Sequence, residues 1–117
     1  MKYMLLVYGA EDAAPLPGSP EFGPFMQGYL EVSQEMTNDG AMIAGEGLQD
    51  ANTASTVKVR DGKTITRDGP FAETKEMMGG FYLIDCDNLD QAIAYAAKIP
   101  SATYGSIEIR PVMDYEQ

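Results

Sequence analysis

The order of apolar and polar positions divides the chain into short strand-like runs and two longer helical segments. Apolar runs of five to eight residues, or apolar residues at alternate positions, predict strands, whereas recurrence every three or four positions predicts an amphipathic helix. The predicted strands are Lys2–Tyr8, Ala41–Gln49, Ser55–Arg60, Lys63–Asp68, Phe81–Asp85 and Ser106–Val112. The predicted helices are Glu21–Asp39 and Asn88–Ile99.

Capping residues indicate where each helix begins and ends. Ser19 with Pro20 is a suitable N-cap and first helical residue for the first helix, and Gly40 is a suitable stop. Asn88 followed three residues later by Gln91 has the spacing of a capping box. The second helix is expected to bury one stripe of residues, namely Leu89, Ala92, Ile93 and Ala96.

The predicted loops carry turn-forming residues. Gly9 to Pro20 is rich in proline, and Asp68 to Gly80 is expected to be a loop with one short helical turn over Glu73–Met77. Asp61-Gly62 predicts a hairpin between its flanking strands. A two-residue loop places Ile65 opposite Lys58, and a three-residue loop with a glycine bulge places it opposite Val59. The second register is favoured here because it gathers Val57, Val59 and Ile65 on one face.

The order of elements predicts an α+β fold. With the hairpin treated as an insertion, the elements run β-α-β-β-α-β, which is the ferredoxin-like arrangement with both helices on one face of a four-stranded antiparallel sheet. The strands Lys2–Tyr8 and Phe81–Asp85 are apolar on both faces, so the uncovered face is expected to expose Met4, Leu6, Tyr82 and Ile84. Because monomers rarely expose so large an apolar patch, we expect a homodimer in which two sheets face each other as a dimeric α+β barrel.

Composition narrows the classes of function. The 117 residues suit a single domain over 1–117, and 8 basic against 18 acidic residues give a net charge of −10, which disfavours nucleic acid and anionic membranes as partners. The apolar start of the chain is too short to span a bilayer, and the one cysteine, Cys86, suits a structural thiol in a reducing cytoplasm. Histidine is absent, so we expect no metal or other cofactor, and any catalysis must use carboxylates, Tyr, Lys, Arg or the backbone.

Four residues are candidates for a ligand-binding site in the cleft between the two sheets: Glu46, Asp68, Phe71 and Arg110. A buried Glu46 would have a raised pKa and could exchange protons; the alternatives are an ion pair with Arg110 or a lysine, and exposure near a strand end. Arg110 could hold a carboxylate or phosphate, or form a structural salt bridge. Asp68-Gly69-Pro70 could be simple turn chemistry, or part of a loop that closes the cleft with Phe71 as an apolar wall.

One run of residues resembles a known family. Asp68-Gly69-Pro70-Phe71-Ala72-Glu73-Thr74-Lys75-Glu76, followed by Gly79-Gly80-Phe81-Tyr82-Leu83-Ile84, resembles the DGPF-domain branch of the YCII-related family. The opening Met1–Gly9 and the ending Ile107–Val112 are similar to that family too, so the resemblance covers nearly the whole chain. It implies a ferredoxin-like fold and dimeric α+β barrels.

The resemblance implies little about activity. Some relatives are thought to use a His–Asp pair, for example to dehydrochlorinate an aromatic ring, and a chain without histidine cannot carry that pair. Other DGPF members are encoded beside alternative sigma factors. We therefore expect a dimer that binds or acts on a small, anionic or aromatic molecule by acid/base chemistry without metal. The alternative is a non-catalytic interaction module that docks on a protein such as a sigma factor.

Overall fold

The computed structural model describes residues 1–10 and 12–115, which form six strands, two helices and two short 3-10 turns. The strands are β1 (Lys2–Gly9), β2 (Met42–Gly47), β3 (Ser55–Arg60), β4 (Lys63–Asp68), β5 (Met77–Asp85) and β6 (Ser106–Pro111). The helices are α1 (Phe22–Asn38) and α2 (Leu89–Ala97), and the 3-10 turns are Ala51–Thr53 and Pro100–Thr103. One antiparallel sheet has the order β2-β5-β1-β6, and β3 and β4 form a separate hairpin. The predicted ferredoxin-like α+β arrangement with an inserted hairpin is confirmed.

Two of the three predicted helix caps are confirmed. After α1, Gly40 has a φ of +73° and its neighbour Ala41 donates through its N–H to the Met36 carbonyl oxygen at 2.8 Å, a Schellman ending. At the start of α2, the Asn88 Oδ1 accepts from the Gln91 N–H at 2.9 Å. The Ser19 cap is wrong: the N-cap is Glu21, and the Ser19 hydroxyl is buried without a partner among the described residues.

The helix α2 is rotated relative to the predicted stripe. Its buried face consists of Ala92, Tyr95 and Ala96, with Ile99 just beyond its end. Leu89 and Ile93 are each 48% exposed. The rotation follows from Tyr95, whose ring is buried and whose hydroxyl reaches Asp39 beyond the end of α1.

Strand register decides which side chains enter the core, and it corrects the predicted faces. Tyr3 pairs with Ile84 and Leu5 pairs with Tyr82, so all four point toward the helices, where Leu5 and Ile84 are completely buried. Tyr82 and Ile84 therefore do not belong to the uncovered face. That face, called the open face below, carries four half-buried apolar side chains at its centre: Met4, Leu6, Phe81 and Leu83.

A bulge in β2 interrupts the alternation of its side chains between the two faces of the sheet. Met42 pairs with Ile84, but Ala44 pairs with Leu83, so Ile43 is the extra residue. Met42 consequently packs against the core on the helix side. Glu46 pairs with Phe81 and lies on the open face, where its side chain is exposed.

The hairpin has the two-residue loop, so the favoured three-residue register is wrong. Ile65 pairs with Lys58, and both Asp61 and Gly62 have positive φ values, +53° and +73°. Such turns match the twist of the flanking strands. The side chains of Val57, Val59 and Ile65 stay 49–59% exposed. Burial of these residues therefore does not influence the register, and the geometry of the turn sets it. The predicted turn at Glu73–Met77 is also wrong, because Met77 already pairs with Gly9 in the sheet.

The contact between the two helices predicts an alkaline loss of stability. The Tyr95 hydroxyl donates to the Asp39 Oδ2 at 2.6 Å, and this bond, together with burial, raises the pKa of Tyr95 from 10.0 to about 12. A folded-state pKa that lies above the unfolded value stabilises the fold below pH 10, and this contribution is lost as the pH rises through 12. We expect Tyr95→Phe to lower the free energy of unfolding at pH 8 by about 1 to 2 kcal/mol in urea denaturation.

The same measurement at higher pH checks the sign. The difference between wild type and Tyr95→Phe should stay constant up to pH 10 and shrink between pH 10 and 12. A difference that grows over this interval would contradict the proposed cause.

Candidate functional site

Glu46 and Arg110 share the open face but lie at opposite edges of the sheet. Glu46 is aligned across the four strands with Glu108, and Arg110 with Ala44. Three strand spacings separate the two edges, a distance of about 14 Å. The predicted orientation of Arg110 is confirmed, since it pairs with Met4 and points away from the helices. Neither Glu46 nor Arg110 forms an ion pair within residues 1–10 and 12–115. Of the three alternatives for Glu46, namely burial, an ion pair and exposure near a strand end, the structure shows exposure.

The Asp68-Gly69-Pro70 segment is a turn at the base of the hairpin. Gly69 has a φ of +94°, its N–H donates to the Ala54 carbonyl oxygen at 2.7 Å, and its own carbonyl accepts from the Thr56 hydroxyl at 2.8 Å. Turn chemistry therefore explains Gly69. The exposed Asp68 carboxylate accepts no hydrogen bond from the described residues, so it contributes nothing visible to the turn.

The loop that follows this turn borders a groove with a volume of about 490 Å³, called the loop groove below. Its wall includes Pro70 and Phe71, and its floor includes Tyr8 and Met78, which pair with each other and continue the open face. Phe71 lines this groove and is 76% exposed. The sequence motif thus lies beside Tyr8 and Met78, at one end of the open face.

Glu76 and Asp50 are carboxylates of this groove that the sequence analysis missed as candidates, and Glu76 is the one of the two that lies on the open-face side beside Met77 and Met78. The Glu76 Oε2 accepts from the Ser106 hydroxyl at 3.0 Å, and its backbone carbonyl accepts from the Thr74 hydroxyl. Tyr8, Thr74 and Glu76 also line a second, shallower concavity on the side of Ser106. Glu76 is a half-buried residue whose carboxylate stands between two accessible surfaces, where it can contact a ligand from either side. The sequence signal that could have identified Glu76 is its position as the last residue of the motif, directly before the apolar strand β5.

A separate cavity, of about 520 Å³, lies between α1 and the strands β2 and β5, and it is called the helix-side cavity below. Ser33 and Tyr82 both line it, and their hydroxyl oxygens lie 3.4 Å apart in a hydrogen bond. Burial raises the pKa of Tyr82 above 10.0, the hydrogen bond with Ser33 lowers it in part, and Tyr29 adds a smaller increase. Four of the residues that line this cavity are glycines: Gly45, Gly47, Gly79 and Gly80.

Cys86 behaves as a structural residue. It is buried, its Sγ lies 3.5 Å from the Asn88 carbonyl oxygen, and burial raises the pKa of its thiol. Over the described ranges, no group of three or more Cys, Asp or Glu side chains is arranged to hold a metal ion. No helix in the described part of the chain is long and apolar enough to cross a membrane.

Comparison with known proteins agrees with the resemblance noted in the sequence. The model of the YCII-related domain matches residues 1–116. An uncharacterised protein of Rhizobium meliloti (strain 1021) is 36% identical over 118 residues, an alignment that covers 99% of this chain and 95% of that protein. Both similarities extend over essentially the whole length of the chain, including the loop groove. The chain therefore belongs to the YCII-related family.

Proposed function

We propose that the chain is a homodimeric protein that binds and acts on a small molecule in the loop groove, by acid/base chemistry of carboxylates. The observation that carries this proposal is the position of Glu76. A half-buried glutamate, whose carboxylate is held by Ser106, lies in a groove whose other walls are largely apolar. A catalytic acid or base needs such a place, close to bound substrate and partly shielded from water.

The open face supports the dimer. The molecule is only 18 Å thick, which accommodates one sheet and one layer of helices, and the apolar centre of the open face has no such layer on it. A second copy packed on this face would remove that apolar surface from water at about 25 cal/mol per Å² before the entropy cost of association. The exposed Val57 and Val59 of the hairpin offer further apolar surface.

The charged residues at the edges of the open face suit a two-fold arrangement. Arg110 lies at the β6 edge, with no ion pair inside the described chain, and Glu46 lies at the β2 edge. On this proposal, Glu46 and Arg110 line the cleft between the two sheets, and Asp68 and Phe71 border it from the loop. The buried Cys86 stays a free thiol, which fits a reducing cytoplasm.

Charge narrows the class of ligand. Asp50 and Glu76 are the ionisable residues besides Tyr8 among the described residues that line the loop groove, and the chain carries a net charge of −10. A negatively charged ligand would be repelled there. The groove therefore favours a neutral or amine-bearing molecule with an apolar part that packs against Phe71.

Ligand binding measured on matched variants tests the groove. A thermal-shift screen of neutral and amine-bearing metabolites should return a ligand, and its dissociation constant should then be measured by calorimetry. We expect Glu76→Gln to weaken an amine ligand by about 10-fold to 100-fold, the range for a hydrogen bond to a charged group. Phe71→Ala should weaken binding by about tenfold through lost apolar contact.

Glu73→Gln is the control, because Glu73 is an exposed carboxylate of the same loop and does not line the groove. Equal affinities for Glu76→Gln and Glu73→Gln would remove Glu76 from the site. Asp68→Ala and Arg110→Ala test the residues around the cleft. Unchanged binding in both, with the dimer intact, would remove those two residues from the assignment.

A second candidate function is a non-catalytic interaction module. The observation that favours it is an exposed side of α1, where Leu30 is 65% exposed beside Glu31 and Glu35. Such an acidic, partly apolar surface suits a basic partner protein. A screen that returns no ligand, together with capture of a basic partner that Leu30→Asp abolishes, would favour this function.

A further inference from the structure

We propose that the helix-side cavity is a second binding site, specific for a small uncharged molecule that contains aromatic rings. It lies between the helix α1 and the sheet, and so on the opposite side of the sheet from the open face. The proposal goes beyond the function of the loop groove and does not depend on it.

The cavity exists because one row of the sheet has a single side chain, that of Val7. On the helix side, successive rows across β1, β5 and β2 read Tyr3–Ile84–Met42, Leu5–Tyr82–Gly45 and Val7–Gly80–Gly47. The first row is filled, and the third presents one valine and two glycines beneath α1. The helix cannot approach the sheet closely enough to close this space while Tyr29 and Met26 stand between them, so about 520 Å³ stays open.

Of the four glycines that line the cavity, two have no room for a side chain, Gly79 is the extra residue of a bulge in β5, and Gly47 has no such local reason. A Cβ at Gly45 would lie 2.8 Å from the Tyr82 ring, and a Cβ at Gly80 would lie 2.9 Å from the Glu46 carbonyl oxygen. At Gly47, no atom of the described chain lies within 4 Å of a Cβ, and its φ is not in the left-handed region. Glycine in a strand costs stability relative to residues with side chains, so its presence at Gly47 calls for a reason outside local packing. An occupant of the cavity supplies that reason.

The lining chemistry identifies the class of occupant. Val7, Met26, Met42 and the Tyr82 ring are apolar surfaces, and thioether and aromatic groups pack well against ring systems. The uncharged polar side chains that line it are the hydroxyls of Ser33, Tyr82 and Tyr29. The Tyr29 hydroxyl is hydrogen-bonded to Ser101, whereas the Ser33 and Tyr82 hydroxyls are hydrogen-bonded to each other and can still donate to or accept from one uncharged polar atom. Glu46 is the charged residue among the described lining residues, and by its register its side chain points to the open face. No Lys or Arg is among the described residues that line the cavity, so no basic side chain there can hold an anion.

Two dyes that differ by one charge give a direct test. N-phenyl-1-naphthylamine is uncharged, and 8-anilino-1-naphthalenesulfonate has the same rings with a sulfonate added. We expect the uncharged dye to bind the full chain with a fluorescence increase, and the sulfonate to bind at least about tenfold more weakly. Gly47→Leu should fill the cavity and reduce affinity for the uncharged dye by at least about tenfold. The matched control is Gly23→Leu, because Gly23 also has open space around its Cβ and does not line the cavity.

Further variants separate this site from the loop groove and guard against misfolding. Phe71→Ala should leave dye affinity unchanged, and Ser33→Leu, which enters the cavity from α1, should reduce it as Gly47→Leu does. Circular dichroism establishes whether each variant is folded. If Gly47→Leu is not folded, the dye affinity of Ser33→Leu decides whether the dye binds in the helix-side cavity. Absence of dye binding to the wild-type chain, or equal affinity in all folded variants, would overturn the proposal. Loss of dye binding in Phe71→Ala alone would assign the dye to the loop groove and also overturn it.

Discussion

Leu83→Asp is expected to convert the proposed dimer into a folded monomer. Leu83 lies at the centre of the open face, opposite Met4 and Ala44, and is half-buried within a single copy. A carboxylate at this position would be desolvated between two sheets and close to its own symmetry mate, and Arg110, the basic residue of the same row, lies two strands away. Leaving such a charge buried and unpaired costs about 3 to 5 kcal/mol, so we expect the dimer dissociation constant to rise by at least about a hundredfold.

Light scattering coupled to gel filtration measures the result over a range of micromolar concentrations. Leu89→Asp is the matched control, since Leu89 is 48% exposed in the first turn of α2, where an acidic residue is favourable. That variant should keep the oligomeric state of the wild type. A wild-type chain that is already monomeric, or a Leu83→Asp variant that stays dimeric, would contradict the proposed use of the open face.

Ile84→Ala is expected to lower the free energy of unfolding by about 3 to 4 kcal/mol. Ile84 is the next residue along β5, yet it is completely buried between the sheet and the helices, beside Tyr3 and Met42. Removing three carbon atoms from a filled core leaves a cavity, and measured costs for such changes are about 2 to 5 kcal/mol. Urea denaturation followed by circular dichroism gives the value.

Ile93→Ala provides the comparison for this variant, because Ile93 in α2 is 48% exposed and makes no part of the buried core. Its change in unfolding free energy should stay below about 1 kcal/mol. A cost below 1 kcal/mol for Ile84→Ala would mean that this side of β5 does not face the core. Substitutions at the neighbours Leu83 and Ile84 are thus expected to affect different properties, dimerisation for Leu83 and folding stability for Ile84. Together they test the register of the strand β5.

The element types could be predicted because they depend on local chemistry. Gly40 ends α1 in the left-handed conformation that glycine adopts without strain, and Asn88 caps α2 through its own side chain. Asp61-Gly62 likewise forms the two-residue turn that its residues favour. The error at the hairpin arose from giving a shared apolar face more weight than turn geometry, although the face formed by Val57 and Val59 is not buried.

The positions of the candidate residues could be predicted only in part. Arg110 points to the open face, and Phe71 borders a groove at its end, as the alternation and the motif indicated. Glu46 and Arg110 could not be assigned to opposite edges of the sheet from spacing alone. Glu76 was missed as a candidate because its partner, Ser106, is 30 residues away in the chain.

The sequence by itself determined the two helices, the six strands, the ferredoxin-like order and membership of the YCII-related family. These follow from periodicity, capping and turn residues, and a long motif, which all act over a few neighbouring positions. Only the tertiary structure decided which face of β5 is buried, since a strand that is apolar on both faces, such as Phe81–Ile84, has no local preference for either. Its pairing with β1 and the bulges beside it made that choice. The same register left the row with Gly47 nearly empty and so formed the helix-side cavity.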